Sequence, residues 1–360
     1  MNVVIPISII AFLLALLASK GRMKNGLEWC FILLAVIGAI HFDYGNDYRN
    51  YLIMFNDAGW LSFTKEDILG YFRDPGWIAL CVMFRPLGFF AMIIFLNIVQ
   101  NFIYYKVIKN NVERNWWWLA IFIYVFGTNL YLLNFSMMRQ GLAISLIVAS
   151  VSLLLKKRNK FAIILIFVAT LMHSTSVIVI PFLVALAVLK NPKPLIYIYA
   201  VLFVFFVVFG SSLFGFLSQI SFSDSINQYS TMYESTSGIH LGIGFLVDII
   251  GLIVVIYVCA TEKQLQVDAY KLASFYCVSY LLIPLQSVNF MTGRIGFYFG
   301  ALSIVAVPLF YGYLKSNVRV ALLAVFVLIT MYRYYLFFTT GAFAESYSGP
   351  FRTIFSVSWM

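Results

Sequence analysis

An all-helical, polytopic membrane bundle is the fold class this sequence predicts, and three observations carry it. Hydrophobic residues fill 62% and charged residues only 11% of the 360 positions, where a soluble domain carries about 25% charged residues. The apolar residues fall in runs close to the roughly 20 residues a spanning helix needs. The basic residues gather in the short polar breaks on one side of those runs, as the positive-inside rule requires.

The candidate spans are 3–19, 27–42, 88–106, 116–133, 137–155, 161–173, 175–189, 195–217, 241–260, 272–288, 296–314 and 319–337. They make about twelve crossings in a single integral-membrane domain over 1–360, with no polar block large enough for a soluble domain. Val3 to Leu17 lacks a charged n-region and a small-residue cleavage site, so it reads as a retained helix rather than a signal peptide. The segment from Asp74-Pro75-Gly76 to Arg85-Pro86 is too short and interrupted to cross, and reads as an amphipathic or re-entrant helix. The apolar run 161–189 has basic residues at both ends, so it should go out and return. Its turn falls at Met172-His173-Ser174-Thr175-Ser176. Arms of about 14 residues rise only about 21 Å, which puts an imidazole and three hydroxyls at the floor of a cavity.

The net charge of +10 would suit a nucleic-acid binder, but the placement of the charges argues against one. Breaks 20–26, 106–115, 156–160, 190–194, 261–271 and 315–319 hold sixteen of the 24 Lys and Arg, and the opposite side holds ten of the 14 acids. The basicity is therefore a topology signal, with both termini outside. Trp116-Trp117-Trp118 fits an aromatic belt at the inner interface. Cys30, Cys81, Cys259 and Cys277 lie singly in apolar runs and read as buried hydrophobes. No His, Cys, Asp or Glu cluster has metal-ligand spacing, so neither metal nor cofactor is expected.

Seven of the eight outer basic residues are Arg, whose planar fork matches phosphate and carboxylate oxygens. They either bind an anionic ligand or pair with the outer acids as structural salt bridges. Arg139 and Arg294 stand at helix mouths with no acid nearby in sequence, where a guanidinium is costly unless it has an anionic partner or faces water. Two long outer loops are expected, at about 44–74 and 218–240. The first opens His41-Phe42-Asp43-Tyr44-Gly45-Asn46-Asp47-Tyr48-Arg49-Asn50-Tyr51, an alternation of carboxylates and aromatics that suits sugar binding or an ordinary Asp/Asn/Gly turn. Gln286, Asn289, Arg294 and Tyr298 cluster about a helix start, with Arg294 and Tyr298 on one face. Asp248, inside an apolar run, is either functional or a helix-to-helix hydrogen bonder.

Five short motifs occur in order: Gly45-Asn46-Asp47-Tyr48 with Tyr51; Met138-Arg139-Gln140-Gly141-Leu142-Ala143; His173-Ser174-Thr175-Ser176; Arg294-Ile295-Gly296-Phe297-Tyr298-Phe299; and Pro350-Phe351-Arg352-Thr353-Ile354-Phe355. Together they resemble the EpsG family of Wzy-type polysaccharide polymerases. Members usually carry an Arg shortly before the first motif, where this chain has His41 and Asp43. The resemblance implies a GT-C-like helical fold with an outward-facing cavity in the bacterial cytoplasmic (inner) membrane. It also implies a glycosyltransferase that joins oligosaccharide repeat units carried on undecaprenyl diphosphate at the periplasmic or cell-exterior face. The implied partners are that lipid-linked oligosaccharide, the bilayer itself and a chain-length regulator protein.

On this reading Arg139 and Arg294, with Arg352 third, stabilise the departing diphosphate. The general base is His173 or Asp47; burial favours a neutral His173, and Asp47 can instead bind the acceptor. Tyr48, Tyr51 and Tyr298 are expected sugar contacts, with Gln140 and Ser174 beside them. Rival readings are a lipid-linked oligosaccharide flippase or transporter, an O-antigen ligase, a membrane acyltransferase and a structural subunit. A flippase should show midplane charges or broken helices in matching halves; no such symmetry is visible. An acyltransferase would more naturally face its donor site inward.

Overall fold

In a solvent that cannot hydrogen-bond, each backbone group must find its partner within its own segment, so apolar runs become helices. The structure, a computed structural model, describes residues 3–58, 74–127, 130–219, 242, 244–286, 290–339 and 351–356. Among these residues the chain is helical almost throughout. Its helices are α1 (Val4–Ser19), α2 (Gly26–Ile40), α3 (Tyr48–Ala58), α4 (Pro75–Phe84), α5 (Phe89–Asn111), α6 (Trp117–Phe122), α7 (Leu130–Ser136), α8 (Met138–Leu155) and α9 (Asn159–Met172). They continue as α10 (Ile180–Val188), α11 (Lys193–Gln219), α12 (Gly244–Thr261), α13 (Val267–Gln286), α14 (Phe290–Gly300), α15 (Ser303–Gly312) and α16 (Ser316–Thr339). Two short strands, β1 (His41–Phe42) and β2 (Arg352–Thr353), pair antiparallel, His41 opposite Thr353 and Phe42 opposite Arg352.

The fold is that of a helical membrane protein, and among the described residues length and composition pick out part of the expected twelve spans. Four are long and apolar enough to cross: Phe89–Asn111, Met138–Leu155, Lys193–Gly210 and Ser316–Thr339. The count reaches six if each of two bent pairs is one span, Arg114–Gly127 with Leu130–Ser136 and Thr292–Gly300 with Ser303–Gly312. Other apolar helices, including Val4–Ser19, Gly26–Ile40 and Asn159–Met172, are 10–17 residues long. Helical dihedrals are left at Met137 and His173, close to the expected span boundaries 133/137 and 173/175. The expected break in 161–189 falls at His173, followed by a 3-10 segment Ser174–Val179. The expected outer stretch 44–74 contains helix α3; residues 59–73, and 220–240 of the second expected loop, lie outside the described residues.

The chain divides into two compact units, one of Met1–Val177 with Thr330–Met360 and one of Ile178–Ile329. In the first, α1 packs on α2, α2 on α5, α5 on α8, and α8 on α9. Three basic breaks meet at one end of this unit. Arg114 Nε donates to Ala18 O (2.9 Å), Lys156 Nζ to Asn110 O (3.3 Å), and Asn111 Nδ2 to Ser152 Oγ (2.8 Å). From that end α2 runs to His41 and α9 to His173, and the 18 residues of α8 lead back to it from Met138, about 27 Å of helix. This unit's motif residues therefore gather at the other end.

Along α8 the helix surface is buried among its neighbours, and beside Gly141 a chain of amides and a phenol links α7 to α5. Asn134 Nδ2 donates to Tyr124 Oη and Tyr124 Oη to Asn101 Oδ1, both at 3.4 Å. Tyr124 sits in a π-helical turn, Ile123–Gly127, a common device for re-aiming a side chain. Large apolar side chains such as Leu13, Ile32, Phe102 and Phe161 are exposed instead, as lipid contact permits. In the second unit α13 packs against α10, α11, α12 and α14. There Phe299 lies against Phe182 and Phe275, and Tyr280 Oη donates to Tyr276 Oη (2.9 Å).

The first motif's glycine is required twice. Gly45 adopts φ +104°, and a Cβ there would lie 2.6 Å from Phe135 O and 3.1 Å from Ser136 N. It lets the turn before α3 press on the chain just ahead of Arg139. Tyr44 closes the same contact with its ring on Phe135 and Phe351. Gly45→Ala is expected to destabilise the protein by about 1–3 kcal/mol, read as a lower unfolding temperature in detergent. An unchanged temperature would show that this approach is dispensable.

Candidate active site

Asp74 stands immediately before α4, and its side chain is only 4% exposed. A carboxylate removed from water must recover its lost hydration through hydrogen bonds or a paired charge. Asp74 finds three donors from distant segments. Arg139 Nη1, in the first turn of α8, donates to Oδ2 at 2.7 Å. His173 Nδ1, just past α9, lies 3.2 Å from the same oxygen. The Ser174 backbone N–H donates to Oδ1 at 2.7 Å. Burial alone would push the Asp74 carboxyl up, but the bonds from His173 and Ser174 and the Arg139 charge outweigh it, and the net shift is downward.

Backbone contact holds this arrangement in place. A Cβ on Gly76 would sit 2.8 Å from Leu171 Cβ and 2.9 Å from Leu171 C and O. Only glycine lets α4 meet α9 this closely, two residues before His173. On the other flank the Arg139 guanidinium lies over the Tyr51 ring, 5.7 Å from its centroid, and Tyr51 rests on Trp77.

The structure brings together Arg139, His173, Ser174 and Tyr51 from the expected site residues and adds Asp74, which the sequence reading did not single out. Of the two readings left open for the outer Arg residues, the structure shows an acid paired with Arg139, 65 positions earlier in the chain. The pairing answers the cost of burying the carboxylate, and sequence separation hid it. The Arg139 side chain keeps 26% exposure, so part of its donor fork remains presentable.

Tyr48 is 1% exposed, and its ring packs among His41, Phe42 and Phe89. Gln140 is buried on α8. Asp47 is half-buried, and its carbonyl accepts the Tyr51 N–H (2.9 Å) at the start of α3. Arg352 is exposed on β2 beside Phe42. Its charge, after the Arg49 hydrogen bonds and burial, helps hold the Asp43 carboxyl below its usual range. In the second unit Arg294 is half-buried and Tyr298 fully buried on α14, four residues apart as expected. Asn289 lies outside the described residues. Among the described residues no three His, Cys, Asp or Glu side chains group as metal ligands would.

The sequence model of the EpsG family matches residues 27–349, and the chain belongs to that family. This makes it a membrane protein of the polysaccharide-polymerase type, glycosyltransferase-like in broad class. No curated protein and no solved structure matches it.

A carboxyl group held below its ordinary range stabilises the fold fully above that range and loses its contribution as pH falls through the lowered value. Asp74 should therefore cost the wild-type protein stability below about pH 4. Asp74→Asn, which leaves Arg139 without its counter-charge, should lower the unfolding temperature at pH 7 and narrow its difference from wild type on acidification. Parallel curves across that range would show that Asp74 is not ionised in the fold.

Proposed function

We propose that this protein is a polysaccharide polymerase of the bacterial cytoplasmic (inner) membrane. It joins undecaprenyl-diphosphate-linked oligosaccharide repeat units at the membrane's outer face. The observation that carries the reading is the Asp74 cluster. It sets an imidazole, a guanidinium and a backbone amide side by side at the end of the unit opposite its basic breaks. By the positive-inside rule that end faces outward.

In the proposed transfer, a hydroxyl at the non-reducing end of the incoming unit attacks the anomeric carbon of the growing chain. Its proton passes to His173 Nε2 as the new C–O bond forms. The bond from the anomeric carbon to the diphosphate oxygen breaks, and its electron pair leaves with the lipid diphosphate. Asp74 already balances the charge of Arg139, so Arg139 contributes directed donors to the diphosphate more than net positive potential. Arg294 takes the same leaving-group role on the motif order alone. Tyr51, under Arg139, is the aromatic face nearest the reaction. The chemistry needs no divalent metal, and a chain-length regulator acts from outside this site.

The test is the surface-glycan ladder of a deletion strain complemented with Arg139→Lys, a variant that keeps a charge for Asp74 but loses the fork. The ladder should collapse towards single repeat units, in the presence or absence of a chelator. Long chains at normal abundance, from well-expressed protein, would remove Arg139 from the mechanism. Complete absence of surface glycan would favour a flippase or ligase instead.

A further inference from the structure

We infer that Asp74 is the positioning residue that makes His173, rather than Asp47, the general base; the inference rests on the glycosyltransferase reading above. An ionised carboxylate only accepts hydrogen bonds. The imidazole nitrogen facing Asp74 Oδ2, Nδ1 at 3.2 Å, must then carry the proton. That leaves Nε2 with its lone pair free to take a proton from an attacking hydroxyl.

Asp74 holds more than the ring. Its other oxygen accepts the N–H of the next residue, Ser174, at 2.7 Å. Ring and backbone are thus fixed at consecutive positions by the two oxygens of one side chain. The Gly76–Leu171 approach sets the spacing between their helices. Such a carboxylate fixes the tautomer and stabilises the imidazolium that forms, without taking the proton itself.

Among the described residues the neighbouring charged and titratable groups are these. Arg139 faces Asp74 from α8, Tyr51 and Asp47 lie on the α3 side, and Cys81 belongs to α4. Asp47 lies at the start of α3, where its backbone carbonyl accepts the Tyr51 N–H, and among the described residues the carboxylate paired with His173 is that of Asp74 instead.

The experiment is a double-mutant cycle on purified full-length protein, with lipid-linked repeat units extracted from the deletion strain as substrate. His173→Gln and Asp74→Asn are each expected to lower kcat by about 100-fold or more, the usual range for lost general-base catalysis, with KM within about threefold. The double variant should be no slower than His173→Gln, because both residues act as one unit. Losses that multiply, or full turnover by His173→Gln, would overturn the dyad and leave the polymerase reading standing. A wild-type protein that joins no units overturns both.

A second measurement does not depend on any variant folding. In the protein labelled with 15N-histidine, His173 should show the Nδ1–H tautomer at pH 7, assigned against the other two of the chain's three histidines. An Nε2–H tautomer would refute the dyad whatever the turnover.

Discussion

One buried carboxylate organises the first unit's functional end. Asp74 could not stay ionised in that position without donors, and the fold supplies them from two chain segments far from Asp74 in the sequence. The entry to α8 brings Arg139, the break after α9 brings His173 and the Ser174 amide, and the start of α4 brings Asp74 itself. Removing any one partner leaves a charge or an acceptor stranded in a poorly solvating place, the kind of loss that costs several kcal/mol when an ion pair is buried. Stability and site geometry therefore rest on the same bonds.

The same economy explains the glycines around the site. Gly45 lets the first motif's turn press against Phe135 and Ser136, directly ahead of the Arg139 helix, and Gly76 lets α4 touch the Leu171 backbone. Neither residue carries chemistry. Each sets the distance between elements that do. The C-terminal motif joins from the far end of the chain through the β1–β2 pair and the Phe351 ring on Tyr44. The first unit's motifs, scattered along the chain, thus become neighbours through two tight backbone approaches and one short strand pair.

Much of this was legible in the sequence. The hydropathy runs give the helices, the basic breaks give a common end, and a basic residue at each end of 161–189 marks a break that does fall at His173. Arg139 and His173 stand out because each is a polar group where a membrane helix begins or ends. Two things were not legible. The number of crossings is not legible, because a run of apolar residues does not by itself reveal how much of it forms one unbroken helix; among the described residues four helices are long and apolar enough to cross, or six with the bent pairs. Asp74 was passed over because its partners lie 65 and about 100 positions away, beyond any local pattern. Its one local signal, an acid set directly before Pro75-Gly76-Trp77 and an apolar helix, is the default mark of function at a membrane boundary. The burial of Tyr48 is likewise invisible to a local pattern: an aromatic beside carboxylates suggests a sugar platform, and the ring packs on His41, Phe42 and Phe89.

The central claim is that the Asp74 cluster is the substrate's site and opens to the outside. Its most direct test uses Ser174→Cys, beside that carboxylate, in a chain whose four native cysteines are all buried. A membrane-impermeant thiol reagent applied to intact cells should label this position, and more slowly where lipid-linked repeat units accumulate. Labelling that appears only after the membrane is permeabilised would contradict the account.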